Sequence, residues 1–337
     1  LTRTNIEPNP FSMTPTLEVI DLLIEARWIA TVDTDLVLKN HAVAVHNGRI
    51  VALLPASEAR SRFQAVERVT LDEHILIPGL VNLHTHAAMT LLRGLADDLP
   101  LMEWLQNHIW PAEAEHISAK FVYDGTRLAC AEMLKGGITC FNDMYFYPEA
   151  AAAAADEFGM RAMIGITAIE FPTPYASDAD DYLNKGLAIR EMWLDKPLIG
   201  FCLAPHAPYT VSDATFERVL TLSAQLNMPI HCHIHETRHE VEESQQQHQQ
   251  APIERLKRLG LLGPGFIGVH GVYLTESELT LIAATGSSIA HCPTSNLKLA
   301  SGFAPVARMR QLGINVGLGT DGAASNNRLD LFSEMRL

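Results

Sequence analysis

Residues 76–90 read LIPGLVNLHTHAAMT, an apolar segment in which Pro78-Gly79 precedes a short strand-like run that ends in His84 and His86. Side chains at positions i and i+2 of a β-strand point to the same side, so both imidazoles can reach one ion in front of the strand. A His-x-His pair on its own is also a frequent chance pattern. Whether His84 and His86 bind a metal therefore depends on which other residues the chain brings close to them.

Composition narrows the classes of protein to which the chain can belong. It has 337 residues, of which 47% are hydrophobic and 19% charged, so it can bury a large core. A formal net charge of −14 argues against nucleic acid and anionic membranes, since both select basic patches. We therefore predict a cytoplasmic protein with a small-molecule ligand and neither nucleic-acid nor membrane partner, and leave open whether it forms a homo-oligomer. The five cysteines are dispersed, odd in number and contain no CxxC pair, so neither a disulfide framework nor a thiolate zinc finger is indicated.

The chain falls into two zones that differ in periodicity. Residues 15–74 contain short strand-like runs, and Asn47-Gly48 between two of them is a strong hairpin signal. From residue 75 onward, apolar runs alternate with longer segments of helical periodicity. The eight runs begin at residues 76, 137, 161, 198, 228, 266, 287 and 314. Eight strands alternating with helices predict a (β/α)8 barrel over 75–337, with residues 1–14 as a tail or leader.

Polar residues fall at the carboxyl ends of the predicted barrel strands. Besides His84 and His86 they are His206, His233, Glu236, His270, His291 and Asp321. Functional residues of such barrels come from the carboxyl ends of different strands, so we expect these side chains to meet at one mouth. Their recurrence favours a metal site over a chance His-x-His pair.

Seven segments together resemble one known family. They are PGLVNLHTH (78–86), RGLADDLPLMEWLQNHIWPAE (93–113), NDMYFYPE (142–149), HCHIHE (231–236), VHGVYL (269–274), HCPTSNLKLASG (291–302) and GLGTDGAASNN (317–327). The chain resembles the amidohydrolase superfamily, and within it the methylthioadenosine/S-adenosylhomocysteine deaminases and related chlorohydrolases. The resemblance implies a TIM-like metal-dependent hydrolase barrel with a composite β-sandwich, of which residues 15–74 would be the N-terminal part. Since members of the family continue past strand eight, we expect the C-terminal part to be missing and the barrel to be truncated there.

The same resemblance assigns the metal ligands. They would be His84, His86, His233 and Asp321, and they would hold one divalent ion, with zinc expected. Two-metal members usually carry a lysine at the end of strand four, where this chain has His206. A metal ion lowers the pKa of a bound water toward neutrality, so that Asp321 could act as general base while His270 bonds the water.

The remaining assignments concern the substrate. Glu236 would be a catalytic proton shuttle that also contacts the base, Glu103 would bond ribose hydroxyls, and His206 would contact the sugar and base. Arg161 is a candidate for binding an amino-acid carboxylate, and Trp104 offers an apolar surface suited to a methylthio group. Aspartates in the loop that follows Arg161 would repel such a carboxylate; they are Asp178, Asp180 and Asp181.

We therefore predict hydrolytic deamination of an adenine nucleoside to the inosine analogue and ammonia. The expected substrates are 5′-methylthioadenosine, adenosine or 5′-deoxyadenosine, in preference to S-adenosylhomocysteine. The alternative is another activity on the same scaffold, such as a guanine, cytosine or triazine aminohydrolase or a chlorohydrolase. A metal-free, non-catalytic homologue is disfavoured, because every predicted ligand is present.

Overall fold

The computed structural model describes residues 17–337, so the predicted tail at 1–14 lies outside the described residues. The chain divides into two compact units, Leu1–Pro78 and Gly79–Leu337. Among residues 17–337 no helix combines the length and the apolar character that a bilayer crossing requires. All five cysteines are free, as the sequence predicted.

The first unit is one four-stranded sheet with a short helix. Its elements are β1 (Glu18–Ala30), β2 (Val37–His46), β3 (Arg49–Pro55), α1 (Ala56–Arg62) and β4 (Phe63–Leu76). The strand order is β3-β2-β1-β4, with β1 antiparallel to β2 and parallel to β4. Asn47 and Gly48 both have positive φ and join β2 to β3, so the predicted hairpin is confirmed. Ala59 of α1 packs with Ile20, Leu23 and Phe63 in a small core.

The second unit contains the eight predicted strands. They are β5 (Leu80–Thr85), β6 (Ile138–Tyr145), β7 (Arg161–Ala168), β8 (Ile199–Pro205), β9 (Ile230–Ile234), β10 (Phe266–His270), β11 (Ser288–His291) and β12 (Asn315–Leu318). They form one parallel sheet in chain order, from β5 to β12. This arrangement confirms the predicted (β/α)8 class, in which each strand is followed by a crossover connection.

The helices of the second unit lie in the connections between the strands and, for the last two, after β12. They are α2 (Leu101–Trp104), α3 (Trp110–His116), α4 (Ala119–Lys135), α5 (Pro148–Glu157), α6 (Ala179–Met192), α7 (Asp213–Leu226), α8 (Arg238–His248), α9 (Pro252–Leu259), α10 (Glu276–Thr285), α11 (Pro293–Lys298), α12 (Val306–Gln311), α13 (Ala323–Asn326) and α14 (Leu331–Glu334). A 3₁₀ helix spans Ala87–Leu92, and a π-helical turn spans Leu105–Ile109. Ser118, Asp178, Ser212, Thr237 and Thr275 cap the N-termini of α4, α6, α7, α8 and α10.

The first and last strands of the barrel meet at a buried polar seam. The Asn82 side chain donates to Thr320 Oγ1 at 2.8 Å, and its Oδ1 accepts from the Thr320 backbone N–H at 2.9 Å. The Asp321 backbone N–H donates to the His84 carbonyl at 3.0 Å. Gly319 allows this close approach, because a Cβ at that position would lie 2.9 Å from the Cβ of His84. The seam brings the end of β12 beside the His-x-His segment.

We predict that Asn82→Leu destabilises the protein by about 2 kcal/mol, because it leaves the buried Thr320 N–H without an acceptor. Chemical denaturation measures this change. The matched control is Asn315→Ala, which removes an exposed asparagine of β12 whose side chain donates to Ser288 Oγ. Equal unfolding midpoints for Asn82→Leu and the parent protein would contradict the role of the seam.

Candidate active site

Five side chains from four strand ends converge at the carboxyl end of the barrel. His84 lies in β5 and His86 directly after it, His233 lies in β9, His270 ends β10, and Asp321 follows β12. His84, His233, His270 and Asp321 are buried, and His86 is partly exposed. The structure therefore brings together all four residues predicted as metal ligands, together with His270.

The metal-binding atoms of these side chains form two overlapping groups, His84, His233 and His270 and His84, His86 and Asp321, which share His84. His84 Nε2 lies 3.2 Å from Asp321 Oδ1 and 3.2 Å from His233 Nε2, and His86 Nε2 lies 3.3 Å from Asp321 Oδ1. In a tetrahedral site with metal–ligand bonds of about 2.0–2.1 Å, ligand atoms are about 3.3–3.4 Å apart. Three imidazoles and one carboxylate are also a donor set that suits a divalent transition metal.

Hydrogen bonds on the far side of the rings orient them toward this point. His86 Nδ1 bonds the Met144 carbonyl, and His233 Nδ1 bonds the His206 carbonyl at 2.8 Å. A carbonyl oxygen only accepts hydrogen bonds, so it fixes the proton on Nδ1 and leaves Nε2 free to bind a metal. His270 Nδ1 makes the equivalent contact with Asn296 Oδ1 at 2.8 Å. This arrangement is typical of histidines that bind metals.

Burial keeps the imidazoles in the form that binds a metal. It lowers the pKa of His84 to about 4 and that of His206 to about 3, and it holds the pKa of His233 well below its ordinary value. These rings are therefore neutral at physiological pH. Burial alone would raise the pKa of Asp321, but its hydrogen bond with His84 and the neighbouring imidazoles hold it well below its ordinary value.

The second carboxyl group of the site, Glu236, has a raised pKa, in contrast to Asp321. Burial raises the pKa of its carboxyl group, an effect that the nearby His270 partly offsets. One carboxylate oxygen lies 3.7 Å from His270 Nε2, and the other accepts from Ser301 Oγ at 3.4 Å. The backbone N–H groups of His235 and Glu236 both donate to Glu240, which fixes this turn. Glu236 can thus hold a proton beside the metal-ligand set without being one of its closest members.

A cavity of about 460 Å³ opens above these residues. His86, His206, His233, Glu236, His270 and Asp321 line one part of it. The rest is largely an apolar wall of Trp104, Leu105, Ile109, Trp110, Ile169 and Phe171. Trp110 and Phe171 pack edge to face with ring centroids 5.8 Å apart. The cavity therefore combines ionisable groups on one side with an apolar surface on another.

The family model of the amidohydrolase family matches residues 75–337, which include every residue of the metal-ligand set. The chain belongs to the amidohydrolase family. Its (β/α)8 barrel is thus that of a family member, as the sequence resemblance implied.

Relatives of this amidohydrolase extend the comparison. A protein from Saccharophagus degradans named 5-methylthioadenosine/S-adenosylhomocysteine deaminase is 50% identical over 316 residues, which are 94% of this chain and 71% of that protein. One of the same name from Teredinibacter turnerae is 45% identical, over 94% of this chain and 72% of that protein. The crystal structure of an adenosine deaminase from Xanthomonas campestris with bound zinc is 53% identical, with a TM-score of 0.93 over 95% of this chain and 73% of that chain.

Two residues predicted to contact substrate lie outside the cavity. Arg161 is exposed at the first residue of β7, whereas the site lies at the carboxyl ends of the strands. The resemblance implied an arginine after the third strand, whereas Arg161 opens that strand at its amino end, so the prediction that it binds substrate is corrected. Glu103 is exposed in α2 and does not line the cavity, whereas its neighbour Trp104 is buried there. His291 ends β11 but lines neither the cavity nor the metal-ligand cluster.

The sequence reasoning missed a carboxyl–phenol pair in the cavity wall. Tyr145 donates to Glu113 Oε1 at 2.7 Å, and both residues line the cavity. Burial raises the pKa of Glu113 to about 7, although the hydrogen bond from Tyr145 acts in the opposite direction. Both residues lie in segments that carried the family resemblance, but nothing in their spacing showed that they would meet. They come from α3 and β6, which are distant in sequence.

We predict that the purified protein binds about one divalent ion per chain and that His233→Ala loses most of it, because the change removes one of four ligands. Elemental analysis of both proteins after dialysis measures the bound ion. His239→Ala is the matched control, since His239 is an exposed histidine of α8. Two ions per chain, or full metal content in His233→Ala, would contradict the assignment.

Proposed function

We propose that this amidohydrolase is a zinc-dependent aminohydrolase that converts an adenine nucleoside to its inosine analogue and ammonia. The observation that carries the proposal is the position of Glu236, a carboxyl group with a raised pKa that lies beside His270 and the metal-ligand set in one cavity. The deaminase names of relatives up to 50% identical over most of the chain support it. Zinc is proposed because three imidazoles and one carboxylate suit it and because the related adenosine deaminase binds it.

Each residue of the site then has a distinct task in the reaction. A bound divalent ion would supply Lewis acidity and lower the pKa of the attacking water. Asp321 is ionised, so it can accept a proton from that water, while Ser295 holds its other oxygen by a hydrogen bond of 2.6 Å. Glu236 gives its proton to N1 of the purine as the water oxygen adds to C6. The amino group then receives the proton that Asp321 took from the water, the C6–N bond breaks and ammonia leaves, while the hydroxyl proton on C6 returns to Glu236 as the carbonyl forms.

His270 and His206 would position the reactants. The contact of His270 Nδ1 with Asn296 leaves its Nε2 facing the cavity, 3.7 Å from Glu236. His206 is held by a hydrogen bond of 2.9 Å between its Nδ1 and Thr210 Oγ1. We propose that His270 orients the attacking water and that His206 contacts the sugar or base. A third proposed contact is Trp104, in the apolar wall.

The composition of the cavity decides which 5′ substituent it favours. Among residues 17–337, no lysine or arginine lines the cavity, so no guanidinium is available there for an amino-acid carboxylate. Trp104, Trp110 and Phe171 offer an apolar surface that can bury a methylthio group. We therefore propose 5′-methylthioadenosine, adenosine and 5′-deoxyadenosine as better substrates than S-adenosylhomocysteine.

The acidic loop contributes less to this preference than its sequence suggested. Asp178 caps α6 by accepting from the Asp181 backbone N–H, and Asp181 pairs with Lys185. Asp180 forms an ion pair with Arg218. None of the three aspartates lines the cavity, so the preference depends on the apolar wall and the absence of a cation.

The remaining proposals concern the setting of the enzyme. We propose a cytoplasmic location without nucleic-acid or membrane partners, as the composition indicated, and leave the oligomeric state open. A small-molecule nucleoside is the proposed substrate partner, in keeping with the names of the relatives.

We predict that kcat/KM for 5′-methylthioadenosine exceeds that for S-adenosylhomocysteine by about tenfold or more, because the carboxylate of the latter would be desolvated without a partner. Spectrophotometric deamination assays at one salt concentration give the two values, with adenosine and 5′-deoxyadenosine as intermediate references. A higher kcat/KM for S-adenosylhomocysteine would overturn the preference and leave the deaminase proposal intact. Failure with every adenine nucleoside would overturn the proposed function.

We predict that Glu236→Gln lowers kcat by about 100-fold or more and leaves the metal content near that of the parent. The amide cannot transfer the proton, but it preserves the size of the side chain. Steady-state kinetics and elemental analysis of one preparation separate the two effects. Glu242→Gln, in the exposed part of α8, is the control. A loss of metal equal to that in His233→Ala would show that Glu236 is a ligand instead.

A further inference from the structure

A further histidine, His231, contacts one of the predicted metal ligands, His84. His231 lies in β9 two residues before His233 and is fully buried. Its Nε2 lies 3.1 Å from His84 Nδ1, whereas Asp321 contacts the other ring nitrogen of His84, Nε2. The Nδ1 atoms of His86 and His233 contact backbone carbonyls, whereas the Nδ1 atom of His84 contacts an imidazole.

The geometry determines which nitrogen of each ring carries the proton. His84 Nε2 must lack a proton to bind a cation between Asp321 and His233. A neutral imidazole has one N–H, so His84 is protonated on Nδ1 and donates to His231 Nε2. His231 Nε2 is then an acceptor, and its own proton lies on Nδ1. Among residues 17–337, this buried His231 Nδ1 has no hydrogen-bond partner.

An unpartnered buried N–H is unfavourable, so a side chain present for packing alone would be better apolar at this position. The opposite tautomer of His231 would donate to His84 Nδ1 and place the proton of His84 on the metal-binding nitrogen. The acceptor state of His231 is therefore tied to the ability of His84 to bind a metal.

We propose that His231 is a positioning residue that holds His84 in the tautomer required for metal binding. It accepts the Nδ1 proton of His84, orients that ring and raises its basicity at Nε2, as a carboxylate or carbonyl does for other metal-binding histidines. The proposal rests on the metal site of the proposed function. It does not depend on the identity of the nucleoside substrate.

The test measures the zinc affinity of the full chain by chelator competition, after the metal has been removed. His231→Leu removes the acceptor and should weaken zinc binding by about 10–100-fold. His231→Gln places an amide oxygen near the position of Nε2 and should recover most of the affinity. His291→Leu is the matched control, since His291 is also a strand histidine with an unpartnered buried Nδ1 but lies outside the metal-ligand cluster. It should bind zinc like the parent.

Three results would overturn the proposal. Parental zinc affinity in His231→Leu would show that the hydrogen bond is not needed, and equal weakening in His231→Leu and His231→Gln would assign the effect to packing. Two-bond ¹H–¹⁵N correlation spectra of the zinc-loaded parent provide a measurement that needs no variant. We expect His84 and His231 both to be protonated on Nδ1, and a proton on His231 Nε2 would also overturn the proposal. Zinc binding as expected without any nucleoside turnover would instead overturn the proposed function alone.

Discussion

Closure of the barrel is the constraint on which the site depends. Asp321 can meet His84 only because β12 returns to β5, where Asn82 bonds both the backbone and the side chain of Thr320. A hydrogen bond from the Asp321 N–H to the His84 carbonyl then fixes the carboxylate one residue beyond this seam. The two ends of the barrel sequence thus supply neighbouring ligands. An error of about 1 Å at this junction would spoil ligand spacing that has to be held within about 0.2 Å.

Burial acts on the two kinds of ionisable group in opposite directions, and the site uses both. It keeps His84, His206 and His233 neutral, which leaves their nitrogen lone pairs available. It also raises the pKa of Glu236, which favours a bound proton. Asp321 stays ionised because it lies among the imidazoles, whereas for Glu236 burial outweighs the opposing effect of His270. Two buried carboxyl groups in one cavity can therefore serve as base and acid.

The strand-end residues could be predicted from sequence because the strand period and the barrel topology together fix where they lie. His84, His233, His270 and Asp321 needed only the correct assignment of the eight strands. Arg161 was proposed from the family resemblance alone, and the structure places it at the amino end of its strand, away from the carboxyl ends that carry the site. Glu103 and Trp104 are adjacent in a short helix, and only the structure shows which of them faces the cavity. The Glu113–Tyr145 and His84–His231 pairs join distant segments, and no spacing in the sequence encodes such pairs.

The residues for the chemistry lie at strand ends, and the residues proposed to contact the substrate lie mainly in the connections. A family member can therefore keep the reaction and change its substrate. The metal-ligand set and Glu236 lie at the ends of strands or directly after them, where the parallel sheet holds the backbone. The apolar wall comes mainly from the long connection between β5 and β6 and from the segment after β7, which includes Phe171. Connections tolerate substitution better than barrel strands do. Changes in Trp104, Trp110 or Phe171 should therefore alter which 5′ group is accepted and leave the proton transfers at Glu236 and Asp321 in place.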